Sequence, residues 1–297
     1  MKELKEKLRG LLLPATTPFD RGGEIDFPAL KANLDKWGGA GVSGFVLLGS
    51  TGERVHLDDR EYLQTIETAR AAVSTDLAFI AGAGQQSVIG TSNEIKRAAQ
   101  AGAEAVLVIT PFFYRSAITQ ETLISFYTAV ADEAPVPVLL YSMPPLTGIK
   151  IHPEIVARLS AHPNIIGVKD SSNDVESFSK TVNLCPDDFA VLTGNGTVLL
   201  EALRAGATGA ILAVGCAVPQ VCVEIMRAFK AGEDERSAAL QSKLTPLAAA
   251  VTTKYGIGGL KAALDMTGYY GSAVRAPLWA ADEPARAEIA ALLDRIT

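Results

Sequence analysis

The sequence predicts an α/β chain folded as a closed (β/α)8 TIM barrel with a C-terminal helical appendage, and three observations carry that prediction. Eight short apolar runs recur within about 220 residues, each but the last followed by a stretch of helical period, which demands parallel strands. Three of the runs follow similar strings, Ala40-Gly41-Val42-Ser43-Gly44, Ala101-Gly102-Ala103-Glu104-Ala105 and Ala205-Gly206-Ala207-Thr208-Gly209. In each, a glycine suits a helix end and small residues let the helix pack closely on the next strand. The first run leads into Thr16-Thr17-Pro18, where an open doubly wound sheet would normally carry a glycine-rich phosphate turn.

After a short helical lead, residues 10–19 read as a strand opening into a loop. Asp26 is placed to cap the next helix, Pro28 is tolerated in its first turn, and Gly38-Gly39 ends it. Strands are expected at 44–48, 77–81, 105–110, 136–141, 165–169, 189–193 and 209–214. The intervening helices are expected at 58–73, from about 92 to 101, and at 119–132, 153–160, 174–184 and 198–205. Beyond Val218 the pattern is helical alone: 219–231, 234 to about 255, 258–266, and a last helix from Pro284. Val221, Ile225 and Phe229, like Leu240, Leu244 and Leu247, are spaced for one buried helix face. Residues 1–218 are therefore expected to form the barrel and 219–297 a helical region packed on it, with no linker between them.

A chain of 297 residues that is 48% hydrophobic and 20% charged buries a large core and is not disordered. Its net charge of −6 is spread without a basic stripe, so nucleic acid is not an expected partner. The opening Met1-Lys2-Glu3-Leu4-Lys5-Glu6-Lys7 suits neither a signal nor a transit peptide. The longest nearly uncharged stretch, 205–223, is broken by Gly206, Gly209, Gly215 and Pro219, so no membrane span is expected. Cys185, Cys216 and Cys222 are odd in number and lack metal-ligand spacing, which points to reduced thiols and a cytoplasmic setting.

The chemistry gathers around Lys169. In Ile165-Ile166-Gly167-Val168-Lys169-Asp170-Ser171-Ser172 an apolar strand ends in an amine, and an amine kept from water beside positive dipoles is readily made a nucleophile. Barrels of this kind carry their reactive groups at the C-terminal ends of strands. By that rule Tyr141, ending the fifth strand, shares a rim with Lys169. Gly49-Ser50-Thr51-Gly52-Glu53, ending the second strand, offers two hydroxyls and exposed N–H groups suited to a carboxylate. Together they describe a held carboxylate, a nucleophilic amine and a phenol to move protons. His56, His152 and His162 are scattered, so no metal site is expected. Paired rim carboxylates of the kind used in glycoside hydrolysis are missing from the expected strand ends.

Gly49-Ser50-Thr51-Gly52-Glu53, Leu140-Tyr141-Ser142-Met143-Pro144 with Thr147-Gly148, and Gly167-Val168-Lys169-Asp170 together resemble the dihydrodipicolinate synthase and N-acetylneuraminate lyase family of class I aldolases, along essentially the whole chain. The resemblance implies that Lys169 is the Schiff-base lysine and Tyr141 the general acid-base. It places the carboxylate of pyruvate at Ser50 and Thr51. Gly52, Ser171 and Ile211 complete the expected substrate-binding set. No cofactor beyond the imine on Lys169 is implied, and the family is typically a homotetramer.

Two departures bear on substrate. Synthases that make the dihydrodipicolinate precursor carry a second tyrosine where this chain has Phe113, and an arginine where it has Leu146. Phenylalanine relays no proton and leucine pairs with no carboxylate. Tyr114 replaces the missing hydroxyl only if its loop bends. Other strings resemble the 4-hydroxy-2-oxoglutarate aldolase branch: His162-Pro163-Asn164-Ile165, Lys169-Asp170-Ser171, Tyr255-Gly256-Ile257 with Gly259-Leu260-Lys261, and Gly268-Tyr269-Tyr270-Gly271 with Arg275-Ala276-Pro277-Leu278. Most of these are expected outside the pocket. The expectation is a lyase cleaving a 4-hydroxy-2-oxo acid, foremost 4-hydroxy-2-oxoglutarate, to pyruvate and an aldehyde such as glyoxylate. The alternatives are the synthase that condenses pyruvate with aspartate semialdehyde, and a catalytically silent 2-oxo acid binder.

Overall fold

The computed structural model describes residues 2–296. Eight parallel strands pair in chain order, and the eighth closes on the first. They are β1 (Leu11–Pro14), β2 (Gly44–Leu47), β3 (Ala78–Ala83), β4 (Ala105–Ile109), β5 (Val138–Ser142), β6 (Ile165–Asp170), β7 (Ala190–Thr193) and β8 (Gly209–Ile211). The helices are α1 (Lys2–Lys7), α2 (Phe27–Gly38), α3 (Asp59–Ala72), α4 (Val88–Gln100), α5 (Gln120–Glu133), α6 (Pro144–Thr147) and α7 (Pro153–Leu159). They continue with α8 (Val175–Leu184), α9 (Leu199–Arg204), α10 (Pro219–Lys230), α11 (Asp234–Ala249), α12 (Gly256–Met266) and α13 (Glu283–Leu293). The expected barrel is the observed one. Among the described residues, no helix is long and apolar enough to cross a membrane.

Local chemistry sets most helix starts. The Asp26 carboxylate accepts from Ala29 N at 2.9 Å. Asp58 and Glu61 form a reciprocal capping box at the head of α3. The α4 helix begins at Val88, four residues earlier than the sequence predicts, because the Ser87 hydroxyl caps it by accepting from Gly90 N. The β8 strand stops at Ile211 rather than 214, since residues 214–216 coil into a 3₁₀ turn leading to Pro219. The long helix expected at 234–255 is α-helical only to Ala249 and then widens into a π turn, Ala250–Lys254, just after an internal Pro246. Proline has no N–H to continue the ladder, and such turns absorb the mismatch.

Side chains inside the barrel, among them Leu12, Val46, Ile80, Leu107 and Leu139, form a packed core, not a pore. Leu4 and Leu8 bury into the same cluster from the N-terminal lead and cover one mouth. The other mouth carries the chemistry. Outside the strands a larger core includes Trp37, Phe45 and Phe79, and Leu244, Leu247, Leu260 and Ile289 from the C-terminal helices belong to it. On β6, two residues before Lys169, a Cβ at Gly167 would lie 2.5 Å from the carbonyl oxygen of Ala190 on β7. Gly167→Ala is therefore expected to push β6 off β7 and cost about 1–3 kcal/mol. A fall in the urea midpoint with unchanged slope checks this, and an unchanged midpoint refutes it.

Candidate active site

Parallel pairing of β5 with β6 sets Tyr141 opposite Lys169. Both are buried, and the Lys169 Nζ lies 4.3 Å from the centre of the Tyr141 ring. The space for this amine exists because residue 194, just past β7, is glycine. A Cβ there would come within 2.7 Å of Lys169 Cε and 2.0 Å of Ser171 Oγ, so Lys169 and Ser171 converge on one point. The Ser171 hydroxyl is buried without a hydrogen bond of standard geometry among the described residues, and it lies near enough to the Tyr141 phenol to favour its ionised form.

The turn after β2 reaches the same place. Leu48 and Glu53, at φ 56° and 55°, both take the left-handed conformation and bracket a 3₁₀ turn over Ser50–Gly52. Side chains seldom adopt that conformation, and such strain of about 1–3 kcal/mol per residue persists only where surroundings enforce it. The turn brings Ser50 Oγ to 3.4 Å from the Tyr141 hydroxyl. Ser50 and Thr51 open the turn, so their N–H groups have no acceptor within it. The Gly52 carbonyl accepts from Thr17 Oγ1 at 2.7 Å, which ties the turn to the loop after β1.

What enforces the turn lies far away in the chain. Glu53 is buried and pairs at 2.6 Å with Lys261 of α12, itself buried. Lys261 also donates to the carbonyls of Thr17 at 2.7 Å and Ala273 at 2.6 Å. The second Glu53 oxygen accepts from Arg275 N at 3.0 Å. The Arg275 guanidinium grips both oxygens of Glu61, each at 2.7 Å, and donates to the His56 carbonyl. Phe19 lies close to both Lys261 and Arg275, its ring centre 4.6 Å and 4.4 Å from their charged ends.

Burial would raise the Tyr141 phenol, but the charge on Lys169 and the hydrogen bond to Ser50 outweigh it and hold the phenol below its ordinary range. Burial drives Tyr62 and Tyr127 far the other way. It also pulls the Lys261 ammonium below its usual range, against Glu53, which favours the proton. Cys185, Cys216 and Cys222 are all free, with burial pushing Cys185 to about 11 and Cys222 to about 12.

The structure thus brings Ser50, Tyr141, Lys169 and Ser171 together, with Thr51 and Gly52 in the adjoining turn. Ile211 is fully buried in the interior cluster that also holds Tyr141. Phe113 and Tyr114 are exposed and stack edge to face at 5.0 Å on the loop after β4. The Tyr114 hydroxyl makes no hydrogen bond to Tyr141 among the described residues. His56 and His162 are engaged by Glu53 and Asp132, at 3.3 Å and 3.1 Å, and the described residues hold no cluster of three or more metal-ligating side chains. Lys261 and Arg275, among the strings expected mostly outside the pocket, stand directly behind the Ser50–Gly52 turn through Glu53. Sequence reasoning missed that role, and Gly194 with it. A lysine amid the apolar residues 257–264 was the one available signal for Lys261.

An amine on β6 thus faces a phenol on β5 at one mouth of a (β/α)8 barrel, beside the Ser50–Gly52 turn. The dihydrodipicolinate synthetase family model matches residues 7–296. The chain belongs to that family, whose members are carbon–carbon lyases. It is 34% identical over 281 residues to the 4-hydroxy-tetrahydrodipicolinate synthase of Syntrophus aciditrophicus (strain SB), covering 95% of this chain and 96% of that one. A monomeric dihydrodipicolinate synthase variant superposes with a TM-score of 0.94 at 29% identity, over 99% of this chain and 98% of that one. A prophage protein of the same family from E. coli K12, in complex with pyruvate, matches with a TM-score of 0.90 at 31% identity, over 97% and 98% of the two chains.

Two outcomes check this geometry. One tyrosine should ionise below the ordinary range in an ultraviolet titration of the folded protein and vanish from it in Tyr141→Phe. Because the folded value is the lower one, deprotonation of Tyr141 favours the folded state as pH rises through that range. A titration unchanged by Tyr141→Phe would contradict the assignment. Lys261→Met leaves the buried Glu53 carboxylate without its cation, holding only Arg275 N and His56, and should cost about 3–5 kcal/mol in chemical denaturation. Glu53→Gln combined with Lys261→Met should cost less than that single change.

Proposed function

We propose that this chain is a pyruvate-forming class I aldolase whose preferred substrate is a 4-hydroxy-2-oxo dicarboxylate, 4-hydroxy-2-oxoglutarate, cleaved to pyruvate and glyoxylate. The observation that carries the proposal is the Tyr141 phenol placed between the Lys169 amine and the Ser50 hydroxyl. The substrate's C1 carboxylate sits on the N–H groups of Ser50 and Thr51, a concavity suited to an anion. The neutral amine of Lys169 adds to the C2 carbonyl and water is lost, leaving a protonated imine. Tyr141, as phenolate, takes the proton of the C4 hydroxyl while the C3–C4 bond breaks. Its electrons pass into the imine, the aldehyde departs and an enamine remains. Protonation at C3 and hydrolysis then return pyruvate and the free amine. The electron sink is Lys169's own imine, and no cofactor or metal enters a step.

A second reading is favoured by the name of the curated relatives. The same residues, run towards synthesis, would condense the pyruvate enamine with aspartate semialdehyde and make the chain a 4-hydroxy-tetrahydrodipicolinate synthase. Phe113 and Leu146 stand against it. A homotetramer and a cytoplasmic location also remain part of the proposal. Light scattering tests the first, since a monomeric mass at micromolar concentration would refute it. Fractionation of the source cells tests the second, since recovery outside the cytoplasmic fraction would refute it.

Borohydride added with pyruvate should leave a reduced three-carbon adduct on Lys169, found by peptide mass spectrometry and missing in Lys169→Ala. No adduct, or one on another lysine, sinks the mechanism. Cleavage of 4-hydroxy-2-oxoglutarate should outrun condensation with aspartate semialdehyde at matched concentrations. The opposite order would replace the first reading by the second.

A further inference from the structure

A buried glutamine on a C-terminal helix takes no part in the chemistry above, yet its hydrogen bonds lead to Lys169. Gln241 lies on the buried face of α11, at helical spacing from Ser237 and Leu244. An amide taken out of water has to satisfy both its ends. The Gln241 oxygen accepts from Leu200 N at 3.0 Å, in the first turn of α9, and so occupies a donor that the helix itself leaves free. Because a backbone N–H faces that oxygen, the orientation of the amide is fixed. Its nitrogen is then aimed at the turn after β7, 3.0 Å from the Gly196 carbonyl and 3.3 Å from that of Thr197. Thr245, one helical turn further on, brings its hydroxyl to the same Thr197 carbonyl at 3.3 Å.

The other end of that turn closes on the lysine. Gly194 donates its N–H to the Asp170 carbonyl at 2.7 Å, and the space its missing side chain leaves is filled by the Lys169 stem and the Ser171 hydroxyl. The Asn195 amide donates to the Ser172 carbonyl at 3.3 Å, while its oxygen accepts from Thr197 N at 3.0 Å and the Thr197 hydroxyl at 2.8 Å. Gly196 is backed tightly: a Cβ there would meet Val214 at 2.7 Å and Ala248 of α11 at 3.2 Å. Residues 194–198 therefore have Lys169 against their first member and α11 against their third and fourth.

We propose that Gln241 is a positioning residue for imine formation. By holding the 194–198 turn it fixes the wall along which the Lys169 stem lies, and with it the line on which the amine meets a carbonyl carbon. This rests on the aldolase reading above. Addition to a carbonyl is sensitive to direction, and a displacement of about 1 Å costs up to about 100-fold in rate. With leucine at 241, the Leu200 N–H and the Gly196 carbonyl lose their side-chain partner together, and the turn moves towards other partners.

The test mixes enzyme with pyruvate, quenches with borohydride at set times, and follows the adduct on Lys169 by mass spectrometry. In Gln241→Leu the limiting rate at saturating pyruvate should fall about 10- to 100-fold. The pyruvate concentration giving half that rate should change less than about twofold, since Glu53 keeps its contacts with Lys261 and Arg275. Ile289→Ala on α13 lowers the urea midpoint by emptying core volume, and should leave the trapping rate within about threefold of wild type. An unchanged limiting rate in Gln241→Leu, a loss confined to the half-saturating concentration, or an equal loss in Ile289→Ala overturns the assignment. Should Gln241→Leu not fold, Thr245→Val takes its place: it removes one donor to the Thr197 carbonyl and should slow trapping about threefold or more, an unchanged rate again overturning the assignment. If wild type itself leaves no adduct on Lys169, the aldolase reading falls and this inference with it. If wild type is trapped and Gln241→Leu keeps pace, only the role of Gln241 falls.

Discussion

The chemistry of this molecule depends on one rung of parallel pairing, Tyr141 on β5 opposite Lys169 on β6. In a closed barrel the two strands cannot slide without moving all eight. A register change of one residue would also turn either side chain to the helical side. The phenol and the amine are therefore held at a separation set by backbone hydrogen bonds rather than by flexible loops. Each answers the other's burial: the ammonium form of Lys169 favours the phenolate, and the ring face of Tyr141 accepts the cation.

Around that rung the mouth has two unlike sides. On the β1–β2 side a strained turn, with left-handed residues at each end, is held by a buried ion pair and a network of carbonyl acceptors. Removing either ion would leave the other a buried charge with only neutral partners, a costly state that ties the turn to the pair. On the β4–β5 side, two short loops meet where the exposed Arg115 lies against Gly148. The rigid side is fixed by contacts that reach across the chain from α12 and the segment bearing Arg275.

Much of this was legible in the sequence because the signals are local. Asp26 and Asp58 announce helices through their immediate neighbours, and an apolar run ending in Lys169 states a strand end and its occupant together. The alternation of strand and helix was enough to put Tyr141 on the adjacent strand. The contact between Ser50 and Tyr141 was not legible, because it requires Leu48 to bend the end of β2 inward through a conformation that leucine rarely adopts. The Ser87 cap was hidden because Val88-Ile89-Gly90 has no helical character of its own. Lys261 could be noticed but not placed, since its partner Glu53 lies in a motif that already had an explanation.

The tie between Glu53 and Lys261 has a bearing on how the protein comes into being. Chains emerge from the ribosome N-terminus first and tend to fold in that order. All eight strands, the Lys169 amine and the Tyr141 phenol have been made by Ile211, yet the cation that stabilises the Glu53 carboxylate is still unsynthesised. Until α12 and the segment bearing Arg275 arrive, Glu53 has no charge to meet and gains more from water than from the interior. A nascent barrel at that stage has the Lys169 amine and the Tyr141 phenol, but its Ser50–Gly52 turn lacks the contacts with Lys261 and Arg275. The last quarter of the chain thus supplies the support for a turn whose own residues are made in the first.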